Sequence, residues 1–405
     1  MTQFFKGRGS ICIALVIFLA SIATRQHVPT EENVCPSKPH RSRSSEKERE
    51  SSSDSIYLSP YSSPDYTGPQ TTWKPYAHPF PCEPVDVAWR NNKVQRSPAD
   101  TGLLFVREMK TGSSTLAGVI LRIAHLRGSQ LLPHGGPCRM RIDHSSAREL
   151  DYANRNRKKS VVISLLREPT KRVISQFFHF RVSQNKVDPT DAKFIQYLKG
   201  QAPQLSNYYT KDLTMRDIDL EEEDHEAIIQ DILNEYNFIA ITERMDESLV
   251  VLKLLLGLDY RDILYMSAKK HGSFTSSADN SCIYIVPSFI TEGMQNFFKS
   301  RYWEKYLRAD RLLYQAAVKS LDNTIDALGR DLVEQQVQIF RQALQYAQHE
   351  CDAHTIYRCN SRGDFVGDNS TCYLWDIGCG HDCLDAIQIE QAIGDEMEDN
   401  TYSSS

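Results

Sequence analysis

The 405-residue chain lacks a Walker A motif: the one segment that approaches it, residues 104–116, puts its lysine ahead of its glycine, and 104–110 holds no glycine at all. The absence argues against Walker-type kinases and ATPases, and no clear set of magnesium-binding carboxylates speaks for a nucleotide kinase. Excess charge of one sign is also missing. Lys and Arg number 47 against 52 Asp and Glu, for a net charge of −5, so bulk nucleic-acid binding is not expected. No internal repeat is visible. The longest apolar run, Ile11 to Ala23, is short of the ~20 residues that span a bilayer. None of the crowded C-terminal cysteines shows the two-residue spacing of a zinc knuckle. What remains, at 40% hydrophobic residues, is a chain able to hold one large globular domain plus tails.

The segment Leu103-Leu104-Phe105-Val106-Arg107-Glu108-Met109-Lys110-Thr111-Gly112-Ser113-Ser114-Thr115-Leu116 is the most informative. It reads as an apolar strand, a tight polar loop and a helix start. Leu116, Val119, Ile120, Ile123 and Ala124 then recur at helical spacing and define a buried face. A helix opening just after a strand offers free backbone N–H groups and the positive end of its dipole. Gly112 permits close backbone approach, Ser113, Ser114 and Thr115 add hydroxyls, and Lys110 adds charge. The combination suits a phosphate or sulfate group. The plainer alternative is a helix start capped by Thr111 or Ser113.

A second segment runs from Val161 to Phe178. Val161 to Leu166 is apolar except for Ser164, as in a buried parallel strand. Pro169 suits the first turn of a helix, whose buried face is Val173, Ile174, Phe177 and Phe178. Arg167 falls at the carboxyl end of the strand, where open α/β sheets bind ligands. Ser175 lies about two helical turns further on, on the side of Lys171, so Arg167 and Ser175 are placed to grip one phosphate. Between Arg139 and Arg172 there are ten Lys or Arg against four Asp or Glu. The densest part of this run, Arg155 to Lys159, reads as a solvated basic helix.

These motifs carry a resemblance. Lys110-Thr111-Gly112-Ser113-Ser114-Thr115 resembles the 5′-phosphosulfate loop of Golgi carbohydrate sulfotransferases. Arg167-Glu168-Pro169, with Arg172 and Ser175, resembles their 3′-phosphate motif. Phe238-Ile239-Ala240-Ile241-Thr242-Glu243-Arg244-Met245-Asp246-Glu247-Ser248-Leu249 is similar to the Thr-Glu turn and Asp-Glu-Ser-Leu helix of the galactose-3-O-sulfotransferases. The order of the three is the family's, over roughly residues 100 to 385. The resemblance implies an α/β, P-loop-like sulfotransferase fold, a central parallel sheet flanked by helices. It implies 3′-phosphoadenosine 5′-phosphosulfate as co-substrate, held by Lys110, Thr111, Gly112, Ser113, Ser114, Thr115, Arg167 and Ser175, and no metal. Lys110 would neutralise charge on the leaving nucleotide. One departure is Met109, where galactose 3-O-sulfotransferases often carry a histidine. A uronyl 2-O-type glycosaminoglycan sulfotransferase, or a relative that binds nucleotide or glycan without catalysis, therefore stand as alternatives. The partners implied are a galactose-terminated glycolipid or glycoprotein acceptor, the membrane, and a second copy of the chain in a homodimer.

Sulfuryl transfer needs a base for the acceptor hydroxyl, and histidine is the natural one near neutral pH. His125 falls next to buried positions and reads as structural; His134 sits in a Pro-Gly turn. His144 precedes the Arg-Glu-Pro turn by some twenty residues, a place similar to that of the catalytic histidine in the 2-O-sulfotransferases, and is the preferred base. Asp143 is a candidate cap for a following helix. Glu243 is equally suited to an acceptor contact or a structural hydrogen bond.

The organisation expected is a cytoplasmic tail (1–10), a signal-anchor (11–24), a flexible stem (25–98), the sulfotransferase domain (99–345), a Cys-rich segment (346–384) and an acidic tail (385–405). Lys6 and Arg8 flank the apolar run, and the resemblance favours an uncleaved type II anchor in the Golgi membrane over a cleaved signal peptide. Glu221 to Asp224 reads as a solvated start to a helix burying Ile228, Ile229 and Ile232. Residues 294–328 form one long helical pattern. Ten cysteines suit a lumenal protein. Cys351, Cys359, Cys372, Cys379 and Cys383 are read as disulfide-bonded rather than as a zinc site with His354 and His381. Cys35 is left free or intermolecular. Asn369-Ser370-Thr371 is a glycosylation sequon.

Overall fold

The computed structural model describes residues 66–85 and 100–389, except 222, 271, 277–278 and 374–376. The expected anchor, Cys12, Cys35 and nearly all of the acidic tail lie outside the described residues. No helix among the described residues is long and apolar enough to cross a membrane.

Four strands make a parallel sheet in the order β2-β1-β3-β4: β1 (Gly102–Val106), β2 (Met140–Asp143), β3 (Ser160–Leu166) and β4 (Phe238–Ile241). β1 and β3 are buried along their whole length, which is why both read as mainly apolar runs rather than as alternating ones. The two serines of β3 are both bonded: Ser164 donates its hydroxyl to the Val106 carbonyl at 3.0 Å and Ser160 to that of Asn156 at 2.8 Å. Helix α1 (Ser113–Leu131) follows β1 and buries Leu116, Val119, Ile120, Ile123 and Ala124. Helix α2 (Pro169–Phe177) follows β3. The chain leaves β1 toward β2 on one side and returns to β3 on the other, so the sheet reverses direction between β1 and β3. Open α/β sheets bind ligands at such a reversal, past the carboxyl ends of the strands.

The expected α/β class and central parallel sheet are therefore present. The helix His225–Glu235 buries Ile228, Ile229 and Ile232 and is capped by the Asp224 carboxylate. Several local expectations are corrected. Residues 155–159 form a turn, not a basic helix, because Arg155 is buried and paired with Glu235 at 3.2 Å. The 294–328 pattern splits into Glu292–Phe298, Arg301–Tyr306 and Arg308–Leu328. Ser300 interrupts it by capping the middle helix through the Trp303 N–H.

Residues 66–85 fall within the expected stem, yet they are strapped to the domain. Trp73 is only 5% exposed and meets the Phe238 ring edge-on at 5.1 Å. The Thr71 and Trp73 N–H groups donate to the Ser320 and Thr324 hydroxyls at 2.9 and 3.0 Å. Cys82 is disulfide-bonded to Cys138. The strap escapes a periodicity search because an extended segment bonding to side chains needs no period.

Three further bridges, Cys282–Cys359, Cys351–Cys383 and Cys372–Cys379, close the C-terminal region. All five crowded cysteines are thus oxidised. This region lies against α1: a Cβ built on Gly118 would sit 2.5 Å from the Gly378 Cα, so both positions must stay glycine. Tyr373 is stacked between His381 (3.6 Å) and His125 (5.3 Å), a structural place for His125 as expected. Asp385, where the acidic tail was expected to begin, instead ends a helix (His381–Ala386) and pairs with buried Arg122 at 2.7 Å.

His381 yields a stability prediction. It is 5% exposed, and burial, then the Arg122 charge, push its pKa down to about 3. The folded state keeps the ring neutral while the unfolded chain takes up a proton below about 6.5, so stability is present above that value and is lost as pH falls toward 3. His381→Phe preserves the stack on Tyr373 and removes the titration. Its unfolding free energy relative to the parent should shift in its favour by about 2 kcal/mol between pH 7 and pH 5, measured by denaturant unfolding. A pH-independent difference would mean that His381 titrates normally.

Candidate active site

The strand register gathers the motifs on one edge. Val106 is aligned with both Asp143 and Ser164, and Leu166 with Ile241. Arg107, His144, Arg167 and Thr242 are consequently the first residues past the carboxyl ends of β1, β2, β3 and β4.

The loop from Arg107 to Gly112 is held from within. Lys110 has φ 67° and Gly112 φ 78°, so the backbone turns twice through the left-handed region before α1 begins. Gly112 is the N-cap of α1, and no side chain caps the helix. The plainer alternative of a Thr111 or Ser113 cap is thus not realised. Instead both hydroxyls donate to the Glu108 carbonyl, at 3.0 and 2.6 Å. Thr115 Oγ1 accepts the Ala268 N–H at 3.1 Å, and Ser114 Oγ accepts from Arg107 Nη2 at 2.7 Å. The hydroxyls expected to face a phosphate are therefore engaged in shaping the loop. What the first turn of α1 presents to an anion is backbone N–H and dipole, the arrangement that suits phosphate groups.

Arg167 lies across the sheet reversal from this loop and donates from Nη1 to the Lys110 carbonyl at 3.3 Å. Its own peptide groups are clamped: the Tyr209 hydroxyl donates to the Arg167 carbonyl at 2.9 Å. Tyr209 is placed by wholly buried Asp310, which accepts the N–H groups of Tyr209 and Thr210 at 3.2 and 3.0 Å. Glu168 caps α2 by accepting the Thr170 and Lys171 N–H groups. Ser175 and Lys171 are half-buried on the same helix, two turns and one turn beyond Arg167. Arg172, quoted with them in the motif, is different. It is 0% exposed, bonds Gln176 at 2.8 Å and lies 4.3 Å over the Tyr208 ring, so it supports the site from below.

The third motif acts as a brace. Thr242 Oγ1 sits 2.6 Å from the Thr111 carbonyl and 2.9 Å from that of Leu166, bridging the first two motifs. Glu243 accepts the Glu168 N–H at 3.1 Å and the Tyr314 hydroxyl at 3.0 Å. The structural hydrogen bond, one of its two expected uses, is present.

His144 is exposed beside the loop, with Nδ1 2.5 Å from the Arg107 carbonyl. A carbonyl only accepts, so Nδ1 carries the proton and Nε2 is the ring's unprotonated nitrogen. Asp143 caps no helix; its carboxylate accepts the Ser145 N–H at 3.0 Å and turns the chain after β2. His134 is exposed in its turn, between α1 and β2 and off the strand edge that carries His144.

One histidine escaped the sequence reading. α2 runs into a π-helical stretch, Phe178–Gln184, and His179 lies in its first turn. Such stretches mark functional sites disproportionately. The His179 ring stacks 4.1 Å from Phe274 of the small hairpin β5 (Ser273–Thr275) and β6 (Cys282–Tyr284). Lys269 Nζ lies 5.3 Å from the same Phe274 ring. Within Phe177-Phe178-His179-Phe180 the residue looks like part of a core aromatic run. Phe274 and Lys269 lie 95 and 90 residues further along the chain, so no local sequence signal points to it.

Among the described residues no cluster of His, Cys, Asp and Glu is arranged to hold a metal ion. No curated protein matches the chain closely enough to serve as a relative. A family model, Galactose-3-O-sulfotransferase, matches residues 139–358, more than half of the chain. The matched span contains His144, Arg167, Ser175, His179 and the Thr242-Glu243 turn, and begins after the Lys110 loop. The chain belongs to the galactose-3-O-sulfotransferase family, and it is a carbohydrate sulfotransferase.

Proposed function

We propose that the enzyme transfers the sulfuryl group of 3′-phosphoadenosine 5′-phosphosulfate to the 3-hydroxyl of a terminal galactose on a glycolipid or glycoprotein. In this reading it works in the Golgi lumen, anchored by residues 11–24. Lys110 and the backbone N–H groups at the start of α1 receive the phosphosulfate, while Arg167 and Ser175 grip the 3′-phosphate. Displacement is in line, with the acceptor oxygen and the leaving phosphate on opposite faces of the sulfur. His144 takes the acceptor's proton. The observation that supports the reading most is the 2.5 Å contact from His144 Nδ1 to the Arg107 carbonyl. It puts the proton on Nδ1 and so makes Nε2 the basic nitrogen of a ring that touches the loop holding Lys110.

The test is transfer from labelled donor by the full chain to neutral galactosides and to anionic polysaccharides, over a salt series. Neutral galactosides should be sulfated, with turnover changing little with salt. Activity confined to polyanions, falling steeply as screening increases, would replace galactose by the uronyl 2-O alternative. Incorporation into neither would leave the non-catalytic alternative.

A further inference from the structure

His144 touches the loop at the Arg107 carbonyl and His179 lies within reach of the Lys110 charge, but their rings are set up oppositely. His144 has a carbonyl at Nδ1. His179 is 8% exposed, and its Nδ1 is enclosed with no hydrogen-bond partner. Any ligand must therefore meet this ring at Nε2. A buried orphan N–H is rarer and costlier than a buried orphan lone pair, so the proton of the neutral ring belongs on Nε2. Charging the ring would put an N–H at Nδ1 with nothing to receive it. Burial first, then the charges of Lys110 and Lys269, push the pKa of His179 down to about 2. The ring is thus a neutral donor rather than a base, packed on Phe274 at a 32° tilt and within the influence of two ammonium groups. A neutral donor beside two cations suits an anionic oxygen.

We propose that His179 is a second catalytic histidine, which donates its Nε2–H to an oxygen of the transferring sulfuryl group, in the space flanked by Lys110 and Lys269. The inference rests on the sulfotransferase reading above and adds to it a division of labour: His144 accepts a proton, and His179 keeps one. The hydrogen bond strengthens as charge shifts on the sulfuryl group, the form of stabilisation that lowers a barrier without tightening ground-state binding.

The test uses two variants. His179→Phe keeps the stack on Phe274 and removes the donor; His179→Gln returns an amide N–H. Turnover is measured together with calorimetric affinity for 3′-phosphoadenosine 5′-phosphate, which lacks the sulfuryl group. His179→Phe should lose turnover by ~10²-fold, the low end for deletion of one oxyanion donor, with affinity for the bisphosphate within about twofold of the parent. His179→Gln should recover about tenfold of that loss. Nitrogen NMR of the parent should show His179 neutral, protonated at Nε2, from pH 5 to 8. Three results would each overturn the proposal and leave the sulfotransferase reading intact: full turnover by His179→Phe, a proton on Nδ1, or a loss that glutamine does not restore and that the bisphosphate affinity shares. Failure of the parent itself to bind the bisphosphate or to transfer sulfate would instead remove the reading beneath it.

Discussion

Lys110→Ala is expected to lower sulfuryl transfer by ~10³-fold or more, the upper range for removing one group aimed at developing charge. Lys110 is held in the left-handed region at φ 67°, and its carbonyl is bonded by Arg167 at 3.3 Å. Its backbone is thus fixed by two independent constraints. In the reading above, its ammonium meets the bridging oxygen on which charge grows as the sulfur leaves, so its removal costs more in the transition state than in the ground state. Arg167→Ala should behave differently. Its proposed partner, the 3′-phosphate, does not react, so donor affinity by calorimetry should fall while turnover at saturating donor falls less. If Arg167→Ala leaves donor affinity unchanged, the second motif has been assigned to the wrong ligand. If Lys110→Ala turns over normally, the loop is not where sulfur is transferred.

Much of this site is legible in the sequence because the elements that carry it are locally determined. β1 and β3 announce themselves as mainly apolar runs without alternation, since both faces of each are covered. Pro169 marks the start of α2. The αL turn at Gly112 and the placement of Arg167 follow from strand–loop–helix logic, and parallel pairing then brings His144 to the same edge as Arg107 without further information. Orientation within the loop is a different matter. Thr111 and Ser113 carry hydroxyls fit for a phosphate, yet both turn inward to one carbonyl, that of Glu108. No local rule separates a hydroxyl that binds ligand from one that shapes the loop. The Glu108 carboxyl is hidden in the same way. Burial, then Asp212, raises its pKa well above the usual range, with Arg172 opposing, and each of these partners comes from a distant segment. Arg172 and His179 show the same limit from two sides. Arg172 belongs to the ligand-binding motif and is sealed in the core; His179 belongs to no motif and packs on Phe274 within reach of the Lys110 charge.

His144→Ala should cut turnover by ~10²–10⁴-fold, the usual contribution of a general base, and should leave donor affinity nearly unchanged, because the phosphates are assigned to the loop, Arg167 and Ser175. The pH profile makes the test specific. On that assignment the parent's activity should fall on the acid side as Nε2 takes up a proton and can no longer accept one from the acceptor, so the substitution should flatten that limb. His179→Phe should lower the whole profile without flattening it, since a ring already neutral and held as a donor has no proton to gain over the working range. The Arg107 carbonyl is the reason for the difference. By accepting from Nδ1 it both fixes the tautomer and stabilises the imidazolium that forms when the acceptor is deprotonated. His179, whose Nδ1 has no such acceptor, cannot take over that role in the variant. Near-normal turnover by His144→Ala, or an acid limb that survives the substitution, would move the base to another residue.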